Sequence, residues 1–430
     1  MNRDELHRSL KQVYRAGLEA GVEKVDHPEF KNIWFVVPPA PPRKLPNSLS
    51  AKSVAKAGEI IAQLPNLKQA TALDRLVSYL YLRKEAVESS RIEGTMSTID
   101  HILTPGELFE AKETKSERAS VRGYAHALET ELARVPSKGL AIFTVDLVSR
   151  LHEATMKHDP KFKGIAGRLR EPGKPGEIVW IGKAKRPEDS IYNPTPPRHV
   201  TRCLLDVMKW MSDEELAELG NAGMGIPIAV RMAMGHAHFE AVHPFSDGNG
   251  RVGRMLLTLQ MACHGKVPIY LSGFIEEEKT DYGRVLQEAQ KKLRYGPIVD
   301  FFAEALIASH REGTRTRACI EGLPEAWASR GELRKNSTAL RALSWLREHP
   351  IFTARQLQKQ FSVSAPAAHH AVDQLQKYGI VRERTGFERN RVFAAEEVIS
   401  LLSRRFGSDP EEALEGAREL MGNPANSSKP

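Results

Sequence analysis

From about Ala51 the chain turns helical in pattern, and Leu73, Leu76, Val77, Leu80, Tyr81, Lys84 and Val87 recur at three- and four-residue steps. This spacing predicts one helix that runs directly into Ser89-Ser90-Arg91-Ile92-Glu93-Gly94-Thr95. Between Gly164 and Val200 the periodicity gives way to two short extended pieces around a turn-rich stretch, which predicts a hairpin-like flap. Helical spacing returns from Ile226 to Val242, and a second apolar helix is expected from near Arg251 to about Cys263. Further helices follow to about Ser309. A charged stretch broken by glycine and proline then predicts a linker or hinge helix. From Ser337 to Leu402 the pattern is helix, a short turn through Ser362 and Val363, a second helix with Ala367, Ala371, Leu375 and Tyr378 inward, and two short strands around Gly386. The prolines within 33–48 should run extended over a surface, and the tail after Gly407 ends in a disorder-prone GNPANSSKP.

The chain has 430 residues, 41% of them hydrophobic, enough for two or three cored domains. No apolar run approaches the ~20 residues of a membrane span, and the first residues lack a signal-peptide core, so a cytoplasmic protein with no membrane partner is expected. Cys203, Cys263 and Cys319 are far apart, which predicts reduced core thiols and no zinc site. The net charge of +8 favours acidic partners without choosing among nucleic acid, nucleotide and protein.

The densest chemistry lies in His243 to Arg254, HPFSDGNGRVGR. Commoner readings of its glycines fail. A calcium loop would need a further oxygen ligand, then glycine and a distal glutamate, where this chain has Arg251 and Val252 and no such glutamate. A dinucleotide fingerprint would follow a strand, whereas helical HAHFEAVHP precedes this one and Tyr270 stands where the ribose-binding acid belongs. There is no GxxxxGK[ST]. What remains is a loop ending in a helix N-terminus, whose glycines let backbone N–H groups approach an anion such as phosphate. Arg251 and Arg254, three apart on the first turns, are expected to converge on one polyphosphate. Asp247 is a hard oxygen ligand suited to Mg2+ bridging two phosphates. His243 can accept a proton from a hydroxyl near neutral pH.

At every defined position this segment resembles the Fic signature HxFx[DE]GNGRxxR, and SSRIEG resembles the family's inhibitory motif [ST]xxxE[GN]. The resemblance spans roughly Trp34 to Ser309. It implies a Fic helical core with a small β-hairpin flap; with the helix-turn-helix and wing-like pattern of 337–404, the expected fold is mainly α with a C-terminal winged-helix domain. It implies an autoinhibited protein adenylyltransferase that moves AMP from ATP to a Ser, Thr or Tyr hydroxyl of a target protein or of itself. In that plan His243 is the base and Asp247 binds Mg2+. Gly248, Asn249 and Gly250 form the anion hole, Arg251 holds phosphates, and Arg254 positions the terminal phosphate. Ser89 and Glu93, four apart on one helical face, can point together into the site, and Glu93 paired with Arg254 would bar productive ATP binding. Val179, Trp180 and Ile181 would dock a target strand, although Trp180 suits a core anchor equally well. Tyr282 would line the nucleotide pocket. His236, His238 and His243 do not all fall on one helical face, and His236 and His238 are expected in the core or behind the site residues.

The expected divisions are 1–120, an N-terminal helical region with the inhibitory motif; 121–312, the catalytic core; 313–336, a linker; 337–404, a winged helix-turn-helix; and 405–430, a tail. Arg382, Arg384, Arg389 and Arg391 on the wing can contact DNA phosphates, with Ser364, His369, His370 and Gln374 the candidates on the second helix. Two alternatives stay open: transfer of another nucleotide-derived group, UMP or phosphate, and a DNA-binding regulator that uses the nucleotide site as a sensor. A homodimer in which the inhibitory helix acts in trans fits the same pattern.

Overall fold

The computed structural model describes residues 1–25, 29–30, 32–44, 50–104, 116–174, 177–221, 226–385 and 391–422. It divides into two units. Met1–Gln69, Glu88–Thr95 and Thr114–Ser309 form the first, and Ala70–Val87, Met96–Glu113 and His310–Pro430 the second.

The first unit is built around two helices with hardly any exposed side, Ile228–Val242 and Asn249–Cys263, called here the histidine helix and the motif helix. A helix apolar all round belongs in a core, and these two are packed by Glu117–Lys138, Val145–Met156 and Val200–Met211. Small residues allow the close approach: a methyl at Gly235 would meet Met211 Cε at 2.7 Å. The exceptions within this apolar core are themselves buried, among them His236, His238, Glu240, Arg251 and Arg254. Such groups persist only where partners offset their desolvation.

The N-terminal region is not purely helical as expected. Strands β1, Gly21–Val25, and β2, Ile33–Val37, pair antiparallel with Gly21 opposite Val37 and Val25 opposite Ile33. β2 is buried on both faces and so shows no alternation of polar and apolar residues. Val22 and Val36 join Leu6, Leu10, Tyr192 and Ala241 in one cluster. Among the described residues the flap from 177 contains no strand, and one antiparallel bridge joins Ile181 to Tyr192.

In place of a linker, one helix runs Gly296–Ala328, through Gly322 and Pro324. In the second unit Trp327, fully buried near its end, donates Nε1–H to Glu397 at 2.5 Å, and this packing overrides the local helix breakers. The unit continues with Thr338–Glu348, β3 (Ile351–Thr353), Ala354–Phe361, Ala365–Lys377, β4 (Arg382–Glu383) and β5 (Val392–Ala394), in sheet order β3-β5-β4. Helices Glu396–Ser403 and Pro410–Gly422 close it, the second lying within the expected tail. The inward face of Ala365–Lys377 is Ala368, Ala371, Val372 and Leu375, whereas Ala367 and Tyr378 are only half-buried. Ser364 caps this helix and Pro366 sits in its first turn, which sets its start and hence its face. Gly386 and Arg389, and the end of the tail from 423, lie outside the described residues. Among the described residues no helix is long and apolar enough to cross a membrane.

Candidate active site

The histidine helix ends because His243 adopts the left-handed conformation, φ 51° and ψ 64°, and Pro244 follows. Phe245 is fully buried and stacks on His152 at 3.7 Å between ring centroids. Asn249 closes the loop: its Nδ2 donates to the Phe245 carbonyl and its Oδ1 accepts the Phe245 N–H, both at 2.9 Å. Gly248 is left-handed at φ 78°, and a Cβ there would also meet Met156 Sδ at 2.6 Å. The Asn249 side chain is thus used within the loop, while the N–H groups of Asn249, Gly250 and Arg251 open the motif helix, where a helix lacks internal acceptors.

His152 supports the loop from below. Its Nδ1 accepts the Gly167 N–H at 2.8 Å, so the ring proton sits on Nε2, which donates to the Asp247 carbonyl at 3.0 Å. Burial drives its pKa down to about 4, against the pull of that carbonyl, and keeps the ring neutral. The Asp247 side chain is exposed, with Oδ1 accepting the Gly248 N–H at 2.6 Å.

The two arginines do not converge. Arg251 Nη1 donates to Asp159 Oδ2 at 2.8 Å and to Ser120 Oγ at 3.2 Å. Arg254 turns elsewhere: Nε donates to Ser89 Oγ at 2.8 Å, and Nη2 to the Ser89 carbonyl at 2.8 Å and to Glu93 Oε1 at 2.7 Å. Burial works against the Arg254 charge, but Glu93 leads the groups that outweigh it and raise its pKa. The helix Ala72–Ile92 delivers these partners. The Gly94 N–H bonds Arg91 and the Thr95 N–H bonds Ser90, a Schellman end that needs Gly94 at φ 85°. This leaves Glu93 as the last residue of the cap, reaching the start of the motif helix. A methyl at Gly250 would run into Glu93 Oε1.

Around His243 the backbone is fixed by Arg170, a buried guanidinium bonded only to carbonyls in the hydrogen bonds described: His243 at 2.9 Å, Glu177 at 3.0 Å, Thr195 at 2.8 Å and Val242 at 3.1 Å. Burial lowers its pKa to about 9. One side chain thereby ties the flap to the histidine loop. Within the flap, Ile181 packs against the cluster of Tyr192 and Trp34, while the Trp180 ring meets Phe30 edge-on at 5.8 Å and its Nε1 donates to Ala184. Val179 is half-buried. Among the described residues, the amides of Ile178, Val179 and Trp180 take no backbone partner.

Tyr282 is buried, and its hydroxyl lies 2.7 Å from His236 Nε2. His238 stacks on Tyr295 at 5.2 Å. On the second unit's ribbon Arg382 and Arg384 both bond Glu396, Arg384 also bonds Asp100, and Arg391 pairs with Glu383. Three of the four expected phosphate contacts are therefore neutralised within that unit. Ser364 Oγ caps its helix; His369 and His370 are exposed and Gln374 is half-buried. Among the described residues no group of three or more His, Cys, Asp or Glu side chains could hold a metal ion.

Sequence reasoning missed Asp159, His152, Arg170 and Glu240. Asp159 and His152 carry no local signal, and Arg170 is one of two arginines in GRLREPGK. Glu240 was detectable: it is an acid within an apolar helix, one turn before His243.

Residues 142–261 match the family model described as Fic/DOC family, and residues 51–132 the one described as Fic/DOC family N-terminal. Protein adenylyltransferase fic-1 of Caenorhabditis elegans and that of Caenorhabditis briggsae are each 26% identical over 230 residues, which is 53% of this chain. The chain spans 41% of the length of these curated relatives. Among solved structures, a Fic family protein from Desulfovibrio desulfuricans G20 is 20% identical, with 82% of this chain and 98% of that one covered and a TM-score of 0.47.

Proposed function

The chain carries the core and the N-terminal domain of the Fic/DOC family, and on that premise we propose that it is an autoinhibited protein adenylyltransferase. The observation that carries this reading is the seat of Glu93. Its carboxylate lies against Gly250 at the start of the motif helix and bonds the buried Arg254. A carboxylate there sits where the helix dipole, first-turn N–H groups without acceptors inside the helix, and a guanidinium all favour an anion, so the same place suits a phosphate. Glu93 and the terminal phosphate of ATP compete for one arginine.

In this reading His243 takes the proton of a target hydroxyl. The oxygen attacks the α-phosphorus of ATP, the bond to the β-phosphate breaks, and pyrophosphate leaves. The N–H groups of Asn249 and Gly250 stabilise charge on the phosphates. Asp247 is exposed, and one carboxylate completed by phosphate oxygens and water is a donor set that Mg2+ accepts. Bound there, Mg2+ would neutralise phosphate charge. The amides of Ile178, Val179 and Trp180, which take no backbone partner among the described residues, suit addition of an extended target segment, with Ile181 anchoring the flap. The sheet order and helix sequence of the second unit support the winged-helix reading, while its paired wing arginines count against electrostatic binding of DNA through the ribbon.

The test uses Glu93→Gly with ATP labelled on either the α- or the γ-phosphate, and with labelled UTP. AMP transfer predicts covalent label from α-labelled ATP alone. Label from the γ-position would make the protein a phosphotransferase, and label from UTP would make UMP the transferred group. No label, together with salt-dependent, sequence-selective DNA binding that persists in His243→Ala, would favour the sensor.

A further inference from the structure

Glu240 is buried in the histidine helix one turn before His243, and its Oε2 lies 3.5 Å from His243 Nδ1. The left-handed turn at His243 folds the imidazole back beside it. Both His243 Nδ1 and Glu240 Oε1 are sealed from solvent without a hydrogen-bond partner among the described residues, although the His243 side chain as a whole is 21% exposed. The exposed edge of the ring is therefore not the Nδ1 edge.

The motif helix makes room for this carboxylate. A Cβ at Gly253 would meet Glu240 Oε1 at 2.5 Å and the His236 ring at 3.0 Å, so any larger residue would displace it. Position 253 is one of the open positions of the signature, and this chain carries glycine there. Neutralising Arg254 does not account for Glu240, because the hydrogen bonds of Arg254 go to Ser89 and Glu93. Burial alone would raise the Glu240 pKa, yet it is lowered, with the adjacent His243 first among the opposing causes, then the charges of His236 and Arg254.

Resting on the reading of His243 as the base, we propose that Glu240 is the positioning residue that holds His243 as the Nδ1–H tautomer and presents Nε2 to the target hydroxyl. A neutral imidazole can accept a proton on Nε2 only if its own proton sits on Nδ1, and a carboxylate facing Nδ1 selects that form. When Nε2 takes the hydroxyl proton, the imidazolium keeps its Nδ1–H on Glu240, and the new proton leaves from Nε2 to water after pyrophosphate departs. The 3.5 Å separation is just beyond hydrogen-bond length and needs to close by only a few tenths of an ångström, as such pairs do on the way to reaction.

The experiment reads the tautomer directly, by 15N chemical shifts of the His243 ring nitrogens in Glu93→Gly and in Glu93→Gly/Glu240→Gln, alongside kcat and KM for ATP. The expected result is Nδ1–H in the parent, a shift toward Nε2–H in the Gln variant, and a kcat loss of about 10- to 100-fold with KM for ATP changed less than about 2-fold. If the Gln variant does not fold, Glu240→Asp, which keeps the charge but shortens the reach, is read the same way and should shift from the parent in the same direction, by less than is expected for Gln. Nε2–H in the parent, or an unchanged tautomer and kcat in a folded variant, would overturn the proposal. A tautomer switch in a protein that transfers no nucleotide would support the pairing and sink the adenylyltransferase reading instead.

Discussion

Arg251 and Arg254 stand three residues apart on one buried helix, and each is neutralised by a carboxylate from a distant part of the chain. The resemblance ends there. Arg251 is held by Asp159, whose side chain is 11% exposed and whose other oxygen accepts the Lys161 N–H; Ser120 adds a further bond. Every partner belongs to the permanent packing of the core. Arg254, 2% exposed, is held by Glu93, 34% exposed, on the last residue of a helix cap. A buried pair inside a fixed loop is a strut, since removing one partner strands a charge in low dielectric. A pair whose anion is a third exposed, just past the end of a helix, is a latch. The same side-chain chemistry thus serves shape in one place and control in the other, and burial of the anion makes the difference.

The largest effect should come from His243, the base of the proposed reaction. In the Glu93→Gly background, His243→Ala should lower transfer by about 10²- to 10⁴-fold while melting like its parent, checked by initial rates and calorimetry. Retained activity would mean that neither strut nor latch serves this chemistry. Next is stability: Asp159→Asn should cost about 3–5 kcal/mol in chemical denaturation, and Glu93→Gly only about 1–2 kcal/mol, because Arg254 keeps its two bonds to Ser89. Equal costs would erase the distinction.

Acid supplies a background that both variants must share. His238 is buried beside Tyr295 and its pKa is driven by burial down to about 4 from an ordinary 6.5, so the folded state favours the neutral ring. This contribution, on the order of 3 kcal/mol, is full above pH 6.5 and disappears as the pH falls toward 4. The melting temperature should decline across that window in wild type, Asp159→Asn and Glu93→Gly alike, and His238→Phe should flatten the decline. Smallest is salt. Raising ionic strength should increase wild-type transfer by less than about 3-fold through screening of the Glu93 latch, with no such rise in Glu93→Gly.

What was legible in the sequence was local. The chemistry of 243–254 is contained in one loop and two helix turns, and Ser89 with Glu93 is a spacing within one helix, so both could be read without knowing the packing. Helical periodicity likewise marked the histidine and motif helices close to their bounds. Partners brought by packing were not legible. Asp159 lies 92 residues from Arg251, and Arg170 lies 73 from His243, and neither distance leaves a trace in spacing. The pair β1 and β2 escaped because β2 is buried on both faces and so lacks alternation. The expected convergence of Arg251 and Arg254 erred for a related reason: helical spacing sets where a side chain starts, while the acids around it set where it ends.

The most direct test of strut against latch is covalent labelling from α-phosphate-labelled ATP in wild type, Glu93→Gly and Asp159→Asn. The account predicts that Glu93→Gly rises by about 10- to 100-fold over wild type, the worth of a charge-assisted bond to Arg254, while Asp159→Asn falls below it. An unchanged Glu93→Gly, or a rise in both variants, would contradict it.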